Sequence, residues 1–484
     1  MHWDQLFCDI PILDICGGVR RDFDSVTSDS RRVMPGGVFV CLEGRNADGH
    51  AYIKDAAERG AAVAVVSHAL NNSPIPFVVV DSVRAAYATL MSNLNGRPGD
   101  RLRLFAVTGT NGKTSVSTFL REIFKTAGYK AALVGTIGGN MTTPDPDVLY
   151  PLLRKLADNG TEIVVMEASS HALALKKLAP LSFECGMFTN LTMDHGDFHP
   201  TVQDYFEAKA SLFEQCKTGI FNLDDKFGRH LFDSKPSENV YGISACESPV
   251  LEADFSARNI VLDENGARYD LSAPSDIFRI WTDMPWKFAV YNTLTAAACA
   301  YISGVEYKYI QKALSDMKCV SGRLERYNPE GSYPGYPRIY IDYAHTPDAL
   351  ENSLNALRGI MKQGEKLTVL FGCGGDRDRE KRPIMGKTAT DLADLTIITS
   401  DNSRSEDPYD IISDIEAGIS GEASYITISD RSEAIRYALS QASDREILLL
   451  AGKGHEEYII DKAGKHFFSE KAILDEYYSD VPRK

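Results

Sequence analysis

The sequence predicts an α/β protein of three domains. Short apolar runs alternate with segments of helical character along the chain, which is typical of mostly parallel sheets with helices on both faces. A length of 484 residues exceeds what one hydrophobic core usually serves, and it favours three domains. A glycine-rich stretch at 107–114 directly follows one apolar run and predicts a strand, a tight turn and a helix at the centre of the second domain.

The first predicted domain covers residues 1–98. Its strands are expected at 38–42, 61–66 and 77–80, and its helices at 51–59 and 83–94. The turn-rich segment Asn-Gly-Arg-Pro-Gly-Asp at 95–100 is typical of a linker, so we place the first boundary within it.

The second and third predicted domains cover residues 99–322 and 323–484. In the second, strands are expected at 102–107, 131–134, 162–166 and 186–188, with a helix at 115–127. Residues 236–285 show an irregular pattern and are expected to form an inserted β region. In the third, the alternation predicts a Rossmann-like domain, with strands at 338–342, 366–371, 395–399, 425–428 and 447–450 and helices at 347–361, 408–419, 432–440 and 470–478.

Composition narrows the class of protein. A net charge of −15 argues against non-specific nucleic-acid binding, and the apolar stretches are far shorter than a bilayer span. The N-terminus lacks a basic region followed by an apolar stretch, so we expect no secretory signal. Nine scattered cysteines without a Cys-x-x-Cys pair fit reduced thiols. We therefore expect a monomeric cytoplasmic protein without nucleic-acid or membrane partners.

The stretch Val-Thr-Gly-Thr-Asn-Gly-Lys-Thr at 107–114 predicts a phosphate cradle. Its glycines allow backbone N–H groups to approach phosphate oxygens, the following helix N-terminus and Lys113 add positive charge, and Thr114 is a ligand for Mg²⁺. The loop is a variant, because the usual spacing places a glycine where Val107 stands. We expect ATP to bind here, through Gly109, Thr110, Asn111, Gly112, Lys113 and Thr114.

Polar residues follow several predicted strands of the same sheet. Glu167 is expected at a strand's carboxyl end, where a carboxylate is placed to hold Mg²⁺ beside ATP. The segment 188–199 gathers two acids and two histidines, and its Asp194-His195 pair is a normal ligand set. Lys209 lies in an amphipathic helical segment, and its pattern by itself predicts a surface lysine.

Three further polar clusters end strands of the third domain: 376–382, 399–404 and 452–456. The first is a mixed charge run after Phe-Gly-Cys-Gly-Gly, and its position favours a grip on an anionic substrate over a solvated face. Arginine suits bidentate capture of a carboxylate. Together the clusters predict one pocket with both signs of charge, which suits a zwitterionic amino acid.

These motifs, in this order, resemble those of the Mur ligases, and most closely of the members that add the third amino acid of the peptide. The resemblance includes Asp29-Ser30-Arg31, the loop at 107–114, Thr142-Thr143-Pro144, Glu167 through Leu173, Asp194-His195, Lys209, Gly322-Arg323, Asp342 through Pro347 and the three C-terminal clusters. It implies three domains, which bind UDP, ATP and the incoming amino acid respectively. It also implies ATP-dependent amide-bond formation on UDP-MurNAc-L-Ala-D-Glu through an acyl phosphate, in peptidoglycan synthesis.

The resemblance also implies roles for individual residues. The catalytic set is Lys113, Glu167, His195 and Lys209; Mg²⁺ is held by Thr114, Glu167, His195 and Lys209, the last as the carbamate N6-carboxylysine. ATP contacts are implied for Asn292, Arg323 and Asp342 besides the loop. The UDP-muramyl peptide is expected at Ser30, Thr142, Thr143, Ser169 and Lys177, and the added amino acid at Arg377, Asn402, Arg404, Gly452 and Glu456.

Some positions depart from the family pattern. Ser403 replaces the proline of Asp-Asn-Pro-Arg, whereas Arg404 remains and would pair with the distal carboxylate of diaminopimelate, so we expect that amino acid, with lysine or another as the alternative. The usual Gln and Arg appear as Leu175 and Lys177, and the usual Gly and Asn as Trp286 and Ala289. These changes leave open a paralogue with a shifted substrate. The sequence also leaves open a folylpolyglutamate-synthetase-like enzyme, a non-catalytic protein that binds nucleotide-linked peptides, and a P-loop kinase or GTPase.

Overall fold

The computed structural model describes residues 1–19, 22–44, 47–137, 141–192, 194, 196, 198–248, 250–263, 265–328 and 336–479. These residues form sheets of five, nine and six strands, one after another along the chain, and a separate two-stranded sheet. The predicted α/β class is confirmed, and each large sheet is flanked by helices from its own part of the sequence. The domain boundaries at residues 98 and 322 remain predictions.

The first sheet has the order β1-β5-β4-β3-β2, with β1 antiparallel to β5 and the other pairs parallel. Its strands are β1 Ile12–Cys16, β2 Val26–Thr27, β3 Val38–Val40, β4 Val63–Val66 and β5 Phe77–Val80. Its helices are α1 Trp3–Leu6, α2 Ile53–Glu58 and α3 Val83–Leu94, with 3₁₀ turns at Ser30–Arg32 and Gly49–Tyr52. Strands β4 and β5 are buried throughout, as expected for continuous apolar runs.

The central sheet has the order β14-β13-β12-β11-β10-β9-β6-β8-β7. Its strands are β6 Arg103–Thr108, β7 Ala131–Val134, β8 Ile163–Glu167, β9 Phe183–Phe188, β10 Cys216–Asn222, β11 Asn239–Ser244, β12 Phe255–Asp263, β13 Gly266–Ser272 and β14 Ile277–Thr282. The sheet is parallel from β7 to β12 and antiparallel beyond. The expected β character of residues 236–285 is confirmed, since the described part of this range forms strands β11 to β14, and these strands extend the central sheet in a regular order.

The helices around this sheet are α4 Lys113–Thr126, α5 Pro146–Asp158, α6 Ser170–Ala174, α7 Val202–Ala210, α8 Lys226–Ser234, α9 Lys287–Ile302 and α10 Tyr307–Asp316, with 3₁₀ turns at Pro98–Arg101 and Ser211–Gln215. Helix α9 is apolar on nearly all sides and packs against α4 and the sheet, since a helix without a polar face must be buried. The predicted helix at 115–127 begins two residues earlier, directly after the glycine turn.

The C-terminal sheet has the order β15-β16-β20-β17-β18-β19, all parallel except β15. Its strands are β15 Glu325–Tyr327, β16 Arg338–Asp342, β17 Lys366–Phe371, β18 Leu395–Ile398, β19 Tyr425–Thr427 and β20 Glu446–Ala451, and β21 Tyr458–Asp461 pairs with β22 Gly464–Phe467 in the two-stranded sheet. Its helices are α11 Pro347–Gly359, α12 Lys381–Leu392, α13 Pro408–Glu416, α14 Arg431–Gln441 and α15 Glu470–Ser479. Helix α12, β21 and β22 had not been predicted.

The carboxyl ends of the central strands β6 and β8 and of the C-terminal strand β16 face one another across a cleft of about 690 Å³. Open α/β sheets bind ligands at these strand ends. Among the described residues, no helix is both long and apolar enough to cross a membrane.

Candidate active site

The loop between β6 and α4 requires glycine at two positions. Gly109 has φ +143°, and a Cβ there would lie 2.0 Å from Oγ1 of Thr189. Gly112 has φ +87°, and a Cβ there would lie 2.5 Å from Oδ1 of Asn292. Any larger residue would clash with these two side chains, so the tight turn predicted from the sequence depends on both glycines.

Lys113 closes this loop on itself. Its Nζ donates to the carbonyl oxygens of Gly109, at 2.9 Å, and Thr110, at 2.8 Å. Burial lowers the pKa of Lys113, while the nearby Glu167 carboxylate opposes that shift. The loop is thus held in shape by the same cation that a phosphate-binding loop uses to contact phosphate oxygens.

Glu167 ends β8 and is fully buried beneath the loop. Its Oε2 accepts hydrogen bonds from the hydroxyls of Thr114, at 2.9 Å, and Thr136, at 3.0 Å, and its Oε1 accepts from the backbone N–H of Thr136, at 2.8 Å. The Thr136 contact was not predicted, since its stretch of sequence carries no recognised motif.

These oxygens fit a magnesium ion by their chemistry. Carboxylate and hydroxyl oxygens are what Mg²⁺ prefers, and it usually takes few protein ligands beside substrate phosphates and water. Within the described part of the chain, no three His, Cys, Asp or Glu side chains converge to form a fuller metal cage. His195, predicted as a further ligand, lies outside the described residues.

Lys209 is buried, so the surface position that its helical pattern suggests is wrong. Its Nζ donates to the carbonyl oxygen of Gly109 at 2.8 Å and lies 4.3 Å from the centre of the Tyr205 ring. Burial lowers the pKa of Lys209 well below its ordinary value, and the Lys113 ammonium adds to that effect. Helix α7 thus brings a second amine, with a preference for the neutral form, to the phosphate loop.

The first residues of the C-terminal part of the chain complete the cleft. Arg323 donates from Nη2 to Oγ1 of Thr114 at 3.1 Å, and its guanidinium lies 4.7 Å from the centre of the Tyr343 ring. Asp342 lines the cleft but accepts hydrogen bonds from its own neighbours, the backbone N–H groups of Leu324 and Ala344 and the hydroxyl of Ser353. Asn292 also lines the cleft.

One contact across the cleft was missed by the sequence analysis. Asp348, in the first turn of α11, accepts from Nδ2 of Asn111 at 2.7 Å and from Oγ1 of Thr192 at 3.3 Å. Burial raises the pKa of Asp348. The C-terminal domain therefore docks directly on the tip of the phosphate loop.

The residues expected to bind the UDP-muramyl peptide separate into groups. Thr142 and Ser169 line the cleft, and Thr143 lies buried behind them, donating to the carbonyl oxygen of Glu167 at 2.7 Å. Lys177 lines a second cavity of about 250 Å³ between the first and central sheets, where its Nζ lies 2.7 Å from Asp145. The other residues that line it are Ser28, Leu42, Arg84, Tyr87, Asp145, Pro146, Asp147 and Leu175. Ser30 lines neither cavity.

The two residues at the start of α9 that differ from the family pattern do not line the cleft. Trp286 and Ala289 are buried in the core, whereas Phe288, Tyr291 and Asn292 reach the cavity. The two substitutions therefore change packing beneath the site and not its lining.

The residues predicted to hold the amino acid lie close together. Arg404 donates from Nη1 to the carbonyl oxygens of Gly375, at 2.8 Å, and Asn402, at 3.2 Å. Arg377 lies next to Arg404, since both side chains border Gly374. A Cβ added to Gly374 would lie 2.9 Å from Nη1 of Arg404 and 3.7 Å from Cγ of Arg377.

The carboxylates of Asp401 and Glu456 lie beside these arginines. Asn402 donates from Nδ2 to Oε2 of Glu456 at 3.0 Å. Gly452 approaches Asp401 closely, with a Cβ there lying 2.8 Å from Oδ2. The three strand ends thus bring arginines and carboxylates together in one site.

A buried lysine that the sequence analysis missed supports this site. Lys453 donates to Oδ1 of Asn402 at 2.7 Å and to the carbonyl oxygen of Tyr458 at 2.9 Å, and it pairs with Asp401 and Glu456 at 3.2 and 3.3 Å. Its position in the glycine-flanked sequence Gly-Lys-Gly-His-Glu was the available signal.

The charge run at 376–382 does not grip a substrate as a unit. Arg382 is fully buried in α12 and pairs with Glu406 at 2.8 Å and Asp414 at 2.9 Å. Arg379 also pairs with Asp414. The hydrogen bond from Arg382 lowers the pKa of Glu406 to about 2. These arginines brace the loops that carry Arg377 and Arg404, so the expected role of the whole run is corrected.

The phosphate cradle lines the cleft, and Tyr343, which lines it too, donates to Glu456 of the mixed-charge site. This arrangement favours a nucleotide-dependent enzyme that acts on a small charged second substrate. Three family models match the chain: the Mur ligase family catalytic domain over residues 22–94, the Mur ligase middle domain over 107–300, and the Mur ligase glutamate ligase domain over 322–454.

Relatives agree over the full length. The chain is 38% identical to a UDP-N-acetylmuramoyl-L-alanyl-D-glutamate–2,6-diaminopimelate ligase of Clostridioides difficile, over 99% of this chain and 100% of the relative, and 39% identical to that of Bacillus licheniformis, over 90% and 91%. A solved structure of a ligase of the same name is 28% identical, with a TM-score of 0.68 over 99% of this chain and 100% of the other. MurF of Acinetobacter baumannii, at 18% identity and a TM-score of 0.60 over 88% and 90%, shares the fold.

The chain belongs to the Mur ligase family. It is therefore an ATP-dependent ligase that forms amide bonds, and the predicted family and three-domain architecture are confirmed.

Proposed function

We propose that this chain joins 2,6-diaminopimelate to UDP-MurNAc-L-Ala-D-Glu with consumption of ATP, as a monomer in the cytoplasm without nucleic-acid or membrane partners. Relatives of 37–38% identity, which this chain matches over 96–100% of their length, carry the name of that activity. The observation that carries the proposal is the placement of Arg404 beside Glu456 and Asn402, because an amino acid with two carboxylates and two ammonium groups requires both signs of charge in one pocket.

The first chemical step joins the substrate's D-glutamyl carboxylate to the γ-phosphate. Two anions must approach each other, so the site has to neutralise charge without reacting itself. Lys113 and the backbone N–H groups of the loop hold the phosphates, and Arg323 adds a second cation at Thr114. The products are an acyl phosphate and ADP.

Mg²⁺ would be held by Thr114 and Glu167, with His195 as a proposed further ligand. When bound, it supplies positive charge that stabilises the phosphoryl oxygens. Lys209 is proposed to carry CO₂ as a carbamate on Nζ, because carbamylation consumes the neutral amine and burial favours that form. The anion so formed would offer oxygens to a metal in place of an ammonium.

In the second step, the amine of the bound amino acid attacks the acyl phosphate and releases phosphate. Arg377 and Arg404 are proposed to bind carboxylates, and Glu456 an ammonium group, so that the reacting amine points into the cleft. The docking of Asp348 on Asn111 holds the two domains together, which excludes water that would hydrolyse the acyl phosphate.

A product assay tests the proposal. The purified chain is incubated with UDP-MurNAc-L-Ala-D-Glu, Mg-ATP and each amino acid of a panel, and products are identified by mass. We expect the diaminopimelyl tripeptide and one phosphate per amide. A lysine product would support the alternative substrate, lysine, that Ser403 in place of proline leaves open. ATP hydrolysis that needs neither the UDP-dipeptide nor the amino acid would refute the ligase assignment for this pair of substrates.

A further inference from the structure

One histidine that lines the cleft, His345, has no role in the reaction steps above, although its ring can accept a proton. His345 follows β16 and lines the cavity together with Lys113 and Thr114. Its Nδ1 lies 2.7 Å from the carbonyl oxygen of Tyr343. A carbonyl oxygen only accepts hydrogen bonds, so Nδ1 carries the proton, and the neutral ring keeps its lone pair on Nε2.

Burial and two neighbouring cations favour the neutral form of this ring. Burial lowers the pKa of His345, and the Lys381 ammonium and the Arg323 guanidinium lower it further, against the opposing influence of Asp194 and of the hydrogen bond to Tyr343. Lys381 also donates from Nζ to the backbone carbonyl of His345 at 2.9 Å, which fixes the turn. A proton acceptor must be unprotonated before its substrate arrives, and the lowered pKa of His345 favours that state.

The ring lies between the two halves of the reaction. On one side its ring centre is 4.7 Å from that of Tyr343, whose hydroxyl donates to Oε1 of Glu456 in the amino-acid pocket at 3.4 Å. On the other side it shares the cavity with Lys113 and Glu167. His345 thus lies between the phosphate loop and the amino-acid pocket, where an incoming amine would meet an acyl phosphate.

The carboxylates nearby are already engaged. Asp342 accepts three hydrogen bonds from its own domain, Asp348 holds the phosphate loop, and Glu456 accepts from Asn402. Within the described residues, Nε2 of His345 has no hydrogen-bond partner of its own. It is therefore the ring atom in position to accept a proton.

We propose that His345 is the general base that deprotonates the ammonium group of the incoming amino acid. The inference rests on the proposed function, since it requires an amine nucleophile and an acyl phosphate. One ammonium proton moves to Nε2, and the freed lone pair forms the C–N bond to the acyl carbon. The C–O bond to phosphate breaks, and the second amine proton leaves with that phosphate.

The test is His345→Asn. The asparagine amide can still donate to the Tyr343 carbonyl, as Nδ1 does, but it offers no base. At pH 7 we expect acyl-phosphate formation, measured as ADP in a single turnover without amino acid and by borohydride trapping, to match that of the unmodified chain. Amide formation is expected to fall about 100-fold and to recover as the pH is raised, because the amine then loses its proton to solvent.

Hydroxylamine, which is neutral at pH 7, provides a second readout. Both proteins are expected to convert the acyl phosphate to hydroxamate at equal rates, because this nucleophile needs no base. The control is His2→Asn, at an exposed position near the N-terminus that does not line the cleft.

The outcomes separate the two proposals. If the unmodified chain forms no amide with any amino acid, the proposed function fails. If it forms amide and His345→Asn does so at the same rate, the general base is overturned. A parallel loss of acyl phosphate, amide and hydroxamate would also overturn it, since His345 would then be structural.

Discussion

Replacement of Arg404 by alanine is predicted to change which amino acid the enzyme prefers. Nη1 of Arg404 donates to the carbonyl oxygens of Gly375 and Asn402. No hydrogen bond to another described residue engages its Nε or Nη2, so these two atoms can bind a carboxylate in the fork geometry. Diaminopimelate presents a distal carboxylate to such a fork, and lysine does not.

The magnitude follows from the bond that is lost. A hydrogen bond to a charged group contributes about 1.5–3 kcal/mol, which corresponds to a fall in kcat/KM for diaminopimelate of about 10- to 150-fold. Burial and the neighbouring Arg377 lower the pKa of Arg404, so the guanidinium is partly desolvated, and this favours the upper part of the range. For lysine we expect a loss of less than about threefold.

The assay is phosphate release at limiting amino acid, with product identity checked by mass. Arg404→Lys is the matched variant: it keeps the charge but not the fork, and an intermediate loss is expected. Arg436→Ala, at an exposed ion pair with Glu476, is the control. Equal losses with diaminopimelate and lysine in Arg404→Ala would refute the assigned carboxylate contact.

Three further outcomes are expected. Lys113→Ala and Lys209→Ala should each abolish most activity without lowering the melting temperature by more than a few degrees. A short-chain carboxylic acid, but not bicarbonate, should partly restore the activity of Lys209→Ala. Full activity in that variant without any addition would refute the carbamate proposal. Gly109→Ala should eliminate ATP binding in calorimetry, because its Cβ would meet Oγ1 of Thr189 at 2.0 Å, and unchanged affinity would contradict the geometry. Glu406→Gln should destabilise the chain by about 2 kcal/mol at pH 7. The pKa of Glu406 is depressed from 4.5 to about 2, so its stabilisation is complete above pH 4.5 and lost as the pH falls towards 2. The difference in melting temperature between the two proteins should shrink across that window, and a constant difference would contradict the ion pair.

Local patterns allowed much of the framework to be predicted. The helix at Val83–Leu94 and the strands Ala131–Val134 and Lys366–Phe371 match their predicted bounds, because each is marked by a periodicity of its own side chains. Helix α12 was missed because its first residues form a charge run that resembles a solvated loop. The β21–β22 hairpin was missed because its short strands are only partly buried and carry little alternation.

The interior of the site was less predictable. Lys209, Arg382 and Lys453 are buried cations whose own segments read as surface or loop. Their burial depends on acceptors contributed from elsewhere, such as the Gly109 carbonyl a hundred positions from Lys209. A periodicity measure reports the average polarity of a segment, and it does not reveal which distant acceptors will satisfy a buried ammonium.

The hydrogen bond from Asn111 to Asp348 has a thermodynamic consequence. Because the C-terminal domain contacts the tip of the nucleotide loop, binding of ATP and binding of the amino acid are linked, and such linkage is reciprocal. If ATP raises the affinity for the amino acid by some factor, the amino acid must raise the affinity for ATP by the same factor. Asp348→Ala would remove the hydrogen bonds from Asn111 and Thr192 and would weaken both effects by the same ratio, while the contact of Arg323 with Thr114 remains.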